Sequence, residues 1–145
     1  MKCSNKLVSA TLFLFSLALA SIALLDSCEG QPFRQGEILY QNFCSNCHMD
    51  DGSGLAGNIP PLAGSSFLQQ NQEMVPCLIR NGQQGPIEVN GKTYNNPMAP
   101  IPQLSDIEIT NIINYINHSW GNDFGFVQFE PVRQMLKRCP NSQAQ

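Results

Sequence analysis

Two cysteines and a histidine that could bind a metal cofactor lie close together in the stretch Cys44-Ser45-Asn46-Cys47-His48. The pattern C-x-x-C-H is the attachment site of a c-type haem. Two thiols three positions apart can each form a thioether with a vinyl group of one porphyrin, and the histidine that follows can bind the iron. The spacing therefore predicts one covalently attached haem c, with His48 as its proximal ligand.

Two other kinds of site use a C-x-x-C pair. A structural zinc site needs a second pair of ligands, but the later cysteines, Cys77 and Cys139, each stand alone in the sequence. A redox-active dithiol is typical of a βαβ pattern, which this sequence does not show. The haem interpretation is therefore favoured over both.

The opposite axial position of the iron needs a second ligand, and Met98 is the favoured candidate. It lies in the proline-rich stretch 95–103, between Pro97 and Pro100. Flanking prolines stiffen a loop because they fix φ and remove backbone donors. A thioether sulfur favours the reduced iron and raises the reduction potential. A methionine that only fills the core would be more typical of an apolar element than of this polar loop.

Four other residues compete with Met98. Met49 is too close to His48 to reach the opposite face of the haem, and Met74 and Met135 lie on predicted helices at core-like spacing. His118 would give bis-histidine ligation, but its place near the end of the last long predicted helix is more typical of a surface or capping histidine.

The elements that must position these residues are mostly helices. Apolar periodicity and capping signals predict three to five short helices and, around Asn90-Gly91, a hairpin over 86–94. The fold class is therefore mostly α, around one haem that supplies the centre of a small core. The helices are expected over 34–44, 66–70, 72–80, 105–121 and 131–138.

The first 27 residues are typical of an export signal. Lys2 and Lys6 precede an uncharged apolar run over 7–25, which is the usual order in a signal peptide. The same run is long enough to be kept as a membrane span.

Two cleavage sites compete in this segment. Cleavage after Ala18-Leu19-Ala20 would release a soluble protein, whereas Leu25-Asp26-Ser27-Cys28 resembles a bacterial lipobox, from which Asp26 departs. The lipobox is favoured, with Cys28 as the lipidated residue and residues 28–33 as a short tether to the membrane.

The cysteine count supports this choice. Of the six cysteines, Cys3 would be removed with the signal peptide and Cys28 would carry the lipid. Cys44 and Cys47 would bind the haem. Cys77 and Cys139 then remain, and they could form a disulfide in an oxidising compartment outside the cytoplasm. Two separate buried thiols are the alternative that the sequence leaves open.

Charge indicates the kind of partner. From Cys28 onward the chain has six basic and ten acidic residues, a net charge of 6 − 10 = −4. Without a basic patch, nucleic acid is not an expected partner. The expected partners are redox proteins that dock on an apolar haem edge, and no small-molecule substrate is expected where both axial positions are filled.

In these features the chain resembles the class I c-type cytochromes. Gly36 and Tyr40, the CSNCH motif, the Pro60-Pro61-Leu62 loop and Met98 follow each other in that family's order. The resemblance covers residues 34–121 and implies a small cytochrome c fold of the bacterial monohaem kind, found alone or fused to copper and quinoprotein enzymes. Residues 122–145 form an extension that the resemblance does not cover and that is expected to pack on the domain.

The resemblance implies roles for single residues. Gly36 and Tyr40 would cross the last long helix near Ile112 and Tyr115. The carbonyl of Pro60 would accept the ring N–H of His48.

Around the haem, Leu62, Tyr94 and Trp120 would line or flank the pocket. Arg80 would either approach a propionate or lie solvated at its helix end. In many relatives a proline directly follows the ligand methionine. Here Ala99 lies between Met98 and Pro100.

Three functions remain open. A one-electron carrier in bacterial respiration, periplasmic or anchored outside the cytoplasm, is favoured, because a six-coordinate iron does not readily bind a substrate. The alternative is an electron-transfer subunit of a dedicated complex, such as a nitrite reductase, a dehydrogenase or an oxidase. The third is a gas- or peroxide-binding haem from which Met98 is displaced, although one C-x-x-C-H excludes the usual dihaem peroxidase arrangement.

Overall fold

Helices dominate the part of the chain that the computed structural model describes, namely residues 31–139 and Phe15. The expected signal segment and Cys28 lie outside the described residues, apart from Phe15. From Phe33 onward the chain forms one unit of packed elements. Within the described ranges, no helix is long and apolar enough to cross a membrane.

Six helices and one two-stranded antiparallel sheet make up the described elements, which confirms a mostly helical fold with a hairpin. The additional helix is a single turn over the C-x-x-C-H motif. The helices are α1 Arg34–Phe43, α2 Ser45–His48, α3 Ser66–Gln70, α4 Val75–Asn81, α5 Asp106–Asn117 and α6 Phe129–Lys137, and the strands are β1 Ile87–Val89 and β2 Lys92–Tyr94.

The crossing of α1 and α5 is the tightest helix contact. A Cβ atom on Gly36 would overlap the carbonyl oxygen of Asn111 and lie 2.7 Å from Cβ of Tyr115. One turn further on, the rings of Tyr40 and Tyr115 pack with their centroids 5.3 Å apart, and Tyr40 is fully buried. The expected crossing is therefore confirmed, and the absence of a side chain at position 36 permits it.

Local signals set both ends of α5. The hydroxyl oxygen of Ser105 accepts the backbone N–H of Glu108, and the Glu108 carboxylate accepts the backbone N–H of Ser105 at 2.7 Å, which confirms the capping box. The helix ends at Asn117, earlier than expected, because His118 leaves the helical conformation as its C-cap. Ile112 and Ile113 on its buried face belong to the core.

Proline positions explain where α4 and α6 begin. α4 starts at Val75 instead of residue 72, because Pro76 fits only the first turn of a helix, where its missing N–H has no partner to lose. α6 starts at Phe129, two residues before Pro131, for the same reason. In the hairpin, Asn90 and Gly91 have φ of 55° and 73°, the left-handed values that a tight two-residue turn requires.

The C-terminal extension packs on the domain through α6, which contacts α4 and α5. Val132 is its buried anchor, at 1% exposure. A disulfide joins Cys77 on α4 to Cys139 beyond the end of α6, with 5.5 Å between the Cα atoms. The structure thus shows the paired form of these two cysteines instead of two separate thiols.

Replacing Gly36 with Ala should destabilise the protein by about 2 kcal/mol, because the added methyl group forces α1 away from the Asn111 carbonyl. Denaturant unfolding of the haem-loaded protein measures this. Gln35→Ala, at an exposed position of the same helix, is the matched control and should change the free energy of unfolding by less than about 0.5 kcal/mol. Equal effects of the two substitutions would contradict the close crossing.

Replacing Cys77 and Cys139 with Ala should lower the free energy of unfolding by about 4 kcal/mol, because the bond closes a loop between residues 62 apart in the sequence. A thiol reductant should destabilise the native protein similarly and leave the double variant unchanged. If the reductant moves neither unfolding curve, the two cysteines are not bonded in solution.

Candidate functional site

The helical turn α2 brings the three motif residues to one side of the chain. Cys44, Cys47 and His48 stand at positions i, i+3 and i+4, which are neighbours on a helix surface. The N–H of His48 donates to the carbonyl of Cys44 at 2.9 Å, so the turn is closed. α1 leads directly into it, because the N–H of Cys44 donates to the carbonyl of Tyr40 at 2.8 Å. The motif is thereby fixed to the core helix.

All three motif residues line a cavity of about 340 Å³. Its walls are mainly apolar and come from every part of the domain between α1 and α5. Besides the motif, they include Phe43, Ile59, Pro60, Pro61, Leu62, Phe67, Leu68, Val75, Leu78, Ile79, Ile87, Val89, Tyr94, Met98, Ile101, Ile112 and Ile116.

The ring of His48 is oriented by a backbone carbonyl. Its Nδ1 lies 3.2 Å from the carbonyl oxygen of Pro60, so Nε2 is the nitrogen left for a metal. Burial lowers the pKa of His48, against the opposing effect of the Pro60 hydrogen bond. The imidazole is therefore neutral near pH 7 and has the lone pair that metal binding requires. Gly54 permits this arrangement, since a Cβ there would overlap the carbonyl of Ile59 and crowd that of Pro60.

The two thiols of the motif differ in environment. Cys44 is buried and Cys47 is exposed, and neither is in a disulfide. Burial, and then the nearby Cys47, raises the pKa of Cys44 to about 12. Cys44 is therefore a protonated thiol near pH 7.

Met98 is held at the cavity by backbone pairing. Its N–H donates to the carbonyl of Gln83 at 2.9 Å, and the N–H of Gln83 donates to the carbonyl of Met98 at 3.0 Å. Gly82 makes room for this bridge, because a Cβ there would overlap the Met98 carbonyl oxygen. Three residues later, Ile101 donates to the carbonyl of Ile79 on α4 at 3.1 Å. Sequence reasoning missed Gly82 and Gln83; the helix-ending Asn81-Gly82 pair was the only signal near them.

The loop after His48 is clamped by two aromatic side chains, Tyr40 on α1 and Trp120, three residues beyond the end of α5. The hydroxyl of Tyr40 donates to the carbonyl of Met49 at 2.6 Å, and the indole N–H of Trp120 donates to the carbonyl of Asp50 at 3.0 Å. Gly52 lies under the Trp120 ring, whose atoms would be within 2.6 Å of a Cβ there. Trp120 thus holds the loop that follows His48 and is not among the cavity-lining residues, whereas Tyr94 lines the cavity.

Asn122 clamps the other end of the same loop, and the sequence offered no signal for it. Its side-chain oxygen accepts the N–H of Gly64 at 2.7 Å, and its amide donates to the carbonyls of Leu62 at 3.1 Å and Ile116 at 2.8 Å. Leu62 also donates its N–H to the carbonyl of Gly52 at 2.8 Å. Both backbone groups of Leu62, two residues after Pro60, are therefore fixed.

Arg80 is paired with an acid instead of being solvated. Its Nη2 lies 2.8 Å from a carboxylate oxygen of Asp106, so it joins α4 to the first turn of α5. Arg80 is not among the residues that line the cavity, but its buried Nε has no hydrogen-bond partner among the described residues. The expectation of a solvated arginine is therefore wrong, and a contact with a haem propionate stays a prediction.

The competitors of Met98 do not line the cavity. Met74 is 50% exposed at the start of α4, so its expected core position is wrong. The carbonyl of Met49 is occupied by Tyr40, and Met135 lies on α6. His118 is exposed at the end of α5, with Nδ1 2.8 Å from the carbonyl of Asn114, in keeping with a capping histidine.

The residues of the cavity fit a covalently bound haem. His48 and Met98 line the same apolar space, and so do Cys44 and Cys47, which are not in a disulfide. The donor set does not fit zinc, since the described residues contain no group of three or more His, Cys, Asp or Glu side chains that could hold a metal ion.

Comparison with known proteins gives the same assignment. The cytochrome c family model matches residues 33–120, more than half of the chain. The chain is 37% identical over 92 residues to cytochrome c-552 of Thermus thermophilus, covering 61% of this chain and 70% of that protein. The same identity holds for a cytochrome c-552 from another strain of that species, of which 62% is covered.

A second group of relatives consists of larger proteins. The chain is 30% identical over 89 residues to the cytochrome c subunit of a quinone alcohol dehydrogenase from Gluconacetobacter polyoxogenes. That alignment covers 60% of this chain but only 19% of the subunit. The chain therefore corresponds to a fifth of the length of these relatives.

Replacing Asn122 with Ala should free the loop end and weaken the bond between His48 and the Pro60 carbonyl. A weaker bond makes the imidazole a poorer donor to oxidised iron, so the midpoint potential of the haem-loaded protein should rise. We expect a stability loss of about 2 kcal/mol as well, because the backbone groups of Gly64, Leu62 and Ile116 lose a partner.

Asn114→Ala is the matched control. Asn114 is similarly buried and makes two side-chain hydrogen bonds to the backbone of Val127, away from this loop, where Asn122 makes three. It should cost similar stability and leave the potential unchanged. A potential that shifts equally in both variants would show that Asn122 acts only on global stability.

Proposed function

Because the chain belongs to the cytochrome c family, whose members bind haem c covalently, we propose that it carries single electrons between redox proteins, with Cys44 and Cys47 attaching the haem and His48 and Met98 binding its iron. The haem supplies the one-electron chemistry, since its iron changes between Fe(II) and Fe(III). The protein contributes the axial ligands, the dry pocket and the docking surface.

The observation that carries this proposal is the pairing of two ligand types around one apolar cavity. His48 has its free nitrogen available because Pro60 holds the other one. Met98 is fixed by its two backbone bonds to Gln83, so its sulfur can stay near a metal without a strong bond of its own. Fixed ligands suit electron transfer, because the coordination then changes little between the two oxidation states.

The cavity lining favours a carrier over a catalytic haem. Apart from the motif, Tyr94 is the only titratable side chain among the described residues that line it. Catalysis on peroxide or another bound substrate would need an acid–base group near the open coordination site. An Asp, Glu, Lys or second His is not present among those lining residues.

The exposed edge of the cavity indicates how partners dock. The exposed residues that line the cavity are uncharged and mainly apolar: Phe43, Cys47, Pro97 and Ala99, beside the polar Asn58 and Asn96. Such a surface binds a partner through apolar contact, with weak steering by charge. We propose that redox proteins approach here, close to the thioether attachment.

A second candidate is an electron-transfer subunit of a dedicated enzyme. The similarity to cytochrome c subunits of quinone alcohol dehydrogenases supports it. Because this chain corresponds to a small part of those subunits, the substrates and partners of the whole complexes do not carry over. A stable complex that survives purification would distinguish this function from that of a free carrier.

We also propose that the chain is exported and held on a membrane through a lipid on Cys28. The disulfide between Cys77 and Cys139 supports an oxidising compartment. With those two paired and two thiols on the haem, Cys28 is the remaining cysteine of the mature chain. A tether of residues 28–33 keeps the domain close to the membrane that holds its partners.

Replacing Met98 with Ala should abolish the weak far-red absorption band of methionine-bound Fe(III), because the variant has no sulfur at the distal position. The reduced variant should bind CO, whereas the reduced native protein should not. Absorption spectra of both oxidation states, with and without CO, measure this on protein made with the haem-attachment machinery.

Met74→Ala is the control for the loss of a methionine, since Met74 is half exposed and outside the cavity lining. The Met74→Ala variant should keep the far-red band, and its reduced form should not bind CO. A native protein that is high-spin and binds CO would contradict Met98 ligation and favour a gas-binding or catalytic haem.

A further inference from the structure

An exposed aromatic surface lies at the end of the domain where the tether joins it. It consists of Phe33, His118 and Phe126, which we call the root surface. The rings of Phe33 and His118 stack with centroids 4.5 Å apart, and the ring of Phe126 lies 6.3 Å from Phe33. Phe126 is 65% exposed and His118 is also exposed. We infer that the root surface rests on the lipid bilayer and thereby orients the domain.

Phe126 is exposed although the backbone on both sides of it is fixed by hydrogen bonds. Asn117 donates to the carbonyl of Gly125 at 2.9 Å. Asn114 donates to the carbonyl of Val127 at 2.9 Å and accepts its N–H at 2.8 Å. Both asparagines are almost fully buried on α5. Hydrogen bonds on both sides therefore hold Phe126 outward.

The backbone of Phe33 also has an unfavourable conformation. Its φ of 66° and ψ of 18° place it in the left-handed region, which costs a bulky residue about 1 kcal/mol or more. Its ring stacks on an exposed imidazole instead of entering the core. An aromatic residue that is strained, and whose neighbours are exposed, is a candidate for a contact outside the protein.

The length of the tether identifies the bilayer as the occupant. Only seven residues separate Leu25, the end of the apolar run, from Phe33. Fully extended they span at most about 25 Å, and the four residues after a lipidated Cys28 span even less. The root surface therefore stays near any membrane that holds the N-terminal segment. This inference rests on the membrane anchoring proposed above.

The chemistry of the surface suits a membrane interface. Aromatic side chains are enriched at the level of the lipid headgroups, where their rings meet both apolar and polar surroundings. Arg34 follows Phe33 directly, and its side chain is 63% exposed although its Nη1 lies 3.7 Å from the Glu37 carboxylate. An exposed ion pair of this kind is weak, so the guanidinium can exchange it for lipid phosphates. The surface thus adds a second, weaker contact to the anchor.

This orientation has a consequence for electron transfer. α1 has ten residues and is about 15 Å long. Phe33 precedes one end of it, and the C-x-x-C-H motif follows the other. With the root surface on the bilayer, the haem attachment points away from the lipid, which leaves the cavity edge free for protein partners.

Photocrosslinking tests the inference on the full, haem-loaded chain in vesicles of phosphatidylethanolamine and phosphatidylglycerol. Phe126 is replaced with p-benzoylphenylalanine, and Ile107 is replaced in the control. Ile107 is 49% exposed and lies at the other end of α5 from His118. After illumination, mass spectrometry should find roughly tenfold more lipid adduct at position 126 than at 107. His118 gives a second probe position in the root surface.

Flotation of the vesicles separates the two proposals. If both variants float but the lipid adduct is equal at 126 and 107, anchoring stands and the root surface inference is wrong. If position 126 forms adducts with a second copy of the chain or another protein in place of lipid, the inference is also overturned. If neither variant floats, the anchoring fails, and the inference fails with it. The absorption spectrum of each variant confirms that it has folded around its haem.

Discussion

The close crossing of α1 and α5 at Gly36 is the contact on which the rest of this structure depends. α1 ends at Phe43 and delivers Cys44 to the cavity, while α5 supplies Ile112 and Ile116 to its wall. A wider crossing would move the haem attachment site away from the wall that encloses it. Protein interiors are close-packed, so a displacement at one contact is transmitted to the next. The backbone approach at Gly36 therefore fixes the geometry of the site as well as that of the core.

Contacts with loops fix the positions of both proposed iron ligands, although His48 itself lies on the helical turn α2. The Pro60 carbonyl orients His48, and it lies in a segment whose regular structure is limited to one isolated bridge. Met98 also lies in a loop, in a similar bridge with Gln83. Backbone groups of each loop are hydrogen-bonded to residues elsewhere in the chain. Those of the loop after His48 bind Tyr40, Trp120 and Asn122, and those of the Met98 loop bind Gln83 and Ile79. A loop can approach the iron from a direction that a helix axis does not permit, and specific hydrogen bonds replace the regular ladder that a loop lacks.

Features set by neighbours in sequence could be predicted, and features set by distant contacts could not. The hairpin at Asn90-Gly91 and the capping box of Ser105 each depend on a few adjacent residues, and the structure has both. Gly82 gave no signal beyond ending a helix, although its missing side chain admits the Met98 bridge. The clamp by Asn122 and the pairing of Arg80 with Asp106 join residues 26 to 60 positions apart, and no local pattern reports such contacts.

The C-terminal extension has a structural reason that follows from the position of the cavity. Because the cavity occupies the middle of a small domain, α4 forms part of its wall through Val75, Leu78 and Ile79, of which Val75 and Ile79 also belong to the core. A thin wall of this kind needs support from outside. α6 packs on α4, and the bond from Cys77 to Cys139 fixes the end of the extension to the same helix. Small domains commonly compensate for a limited core with a disulfide or a bound metal group. Here the cavity that would hold the haem and the cross-linked extension lie on opposite sides of α4. This helix is thereby supported from both sides.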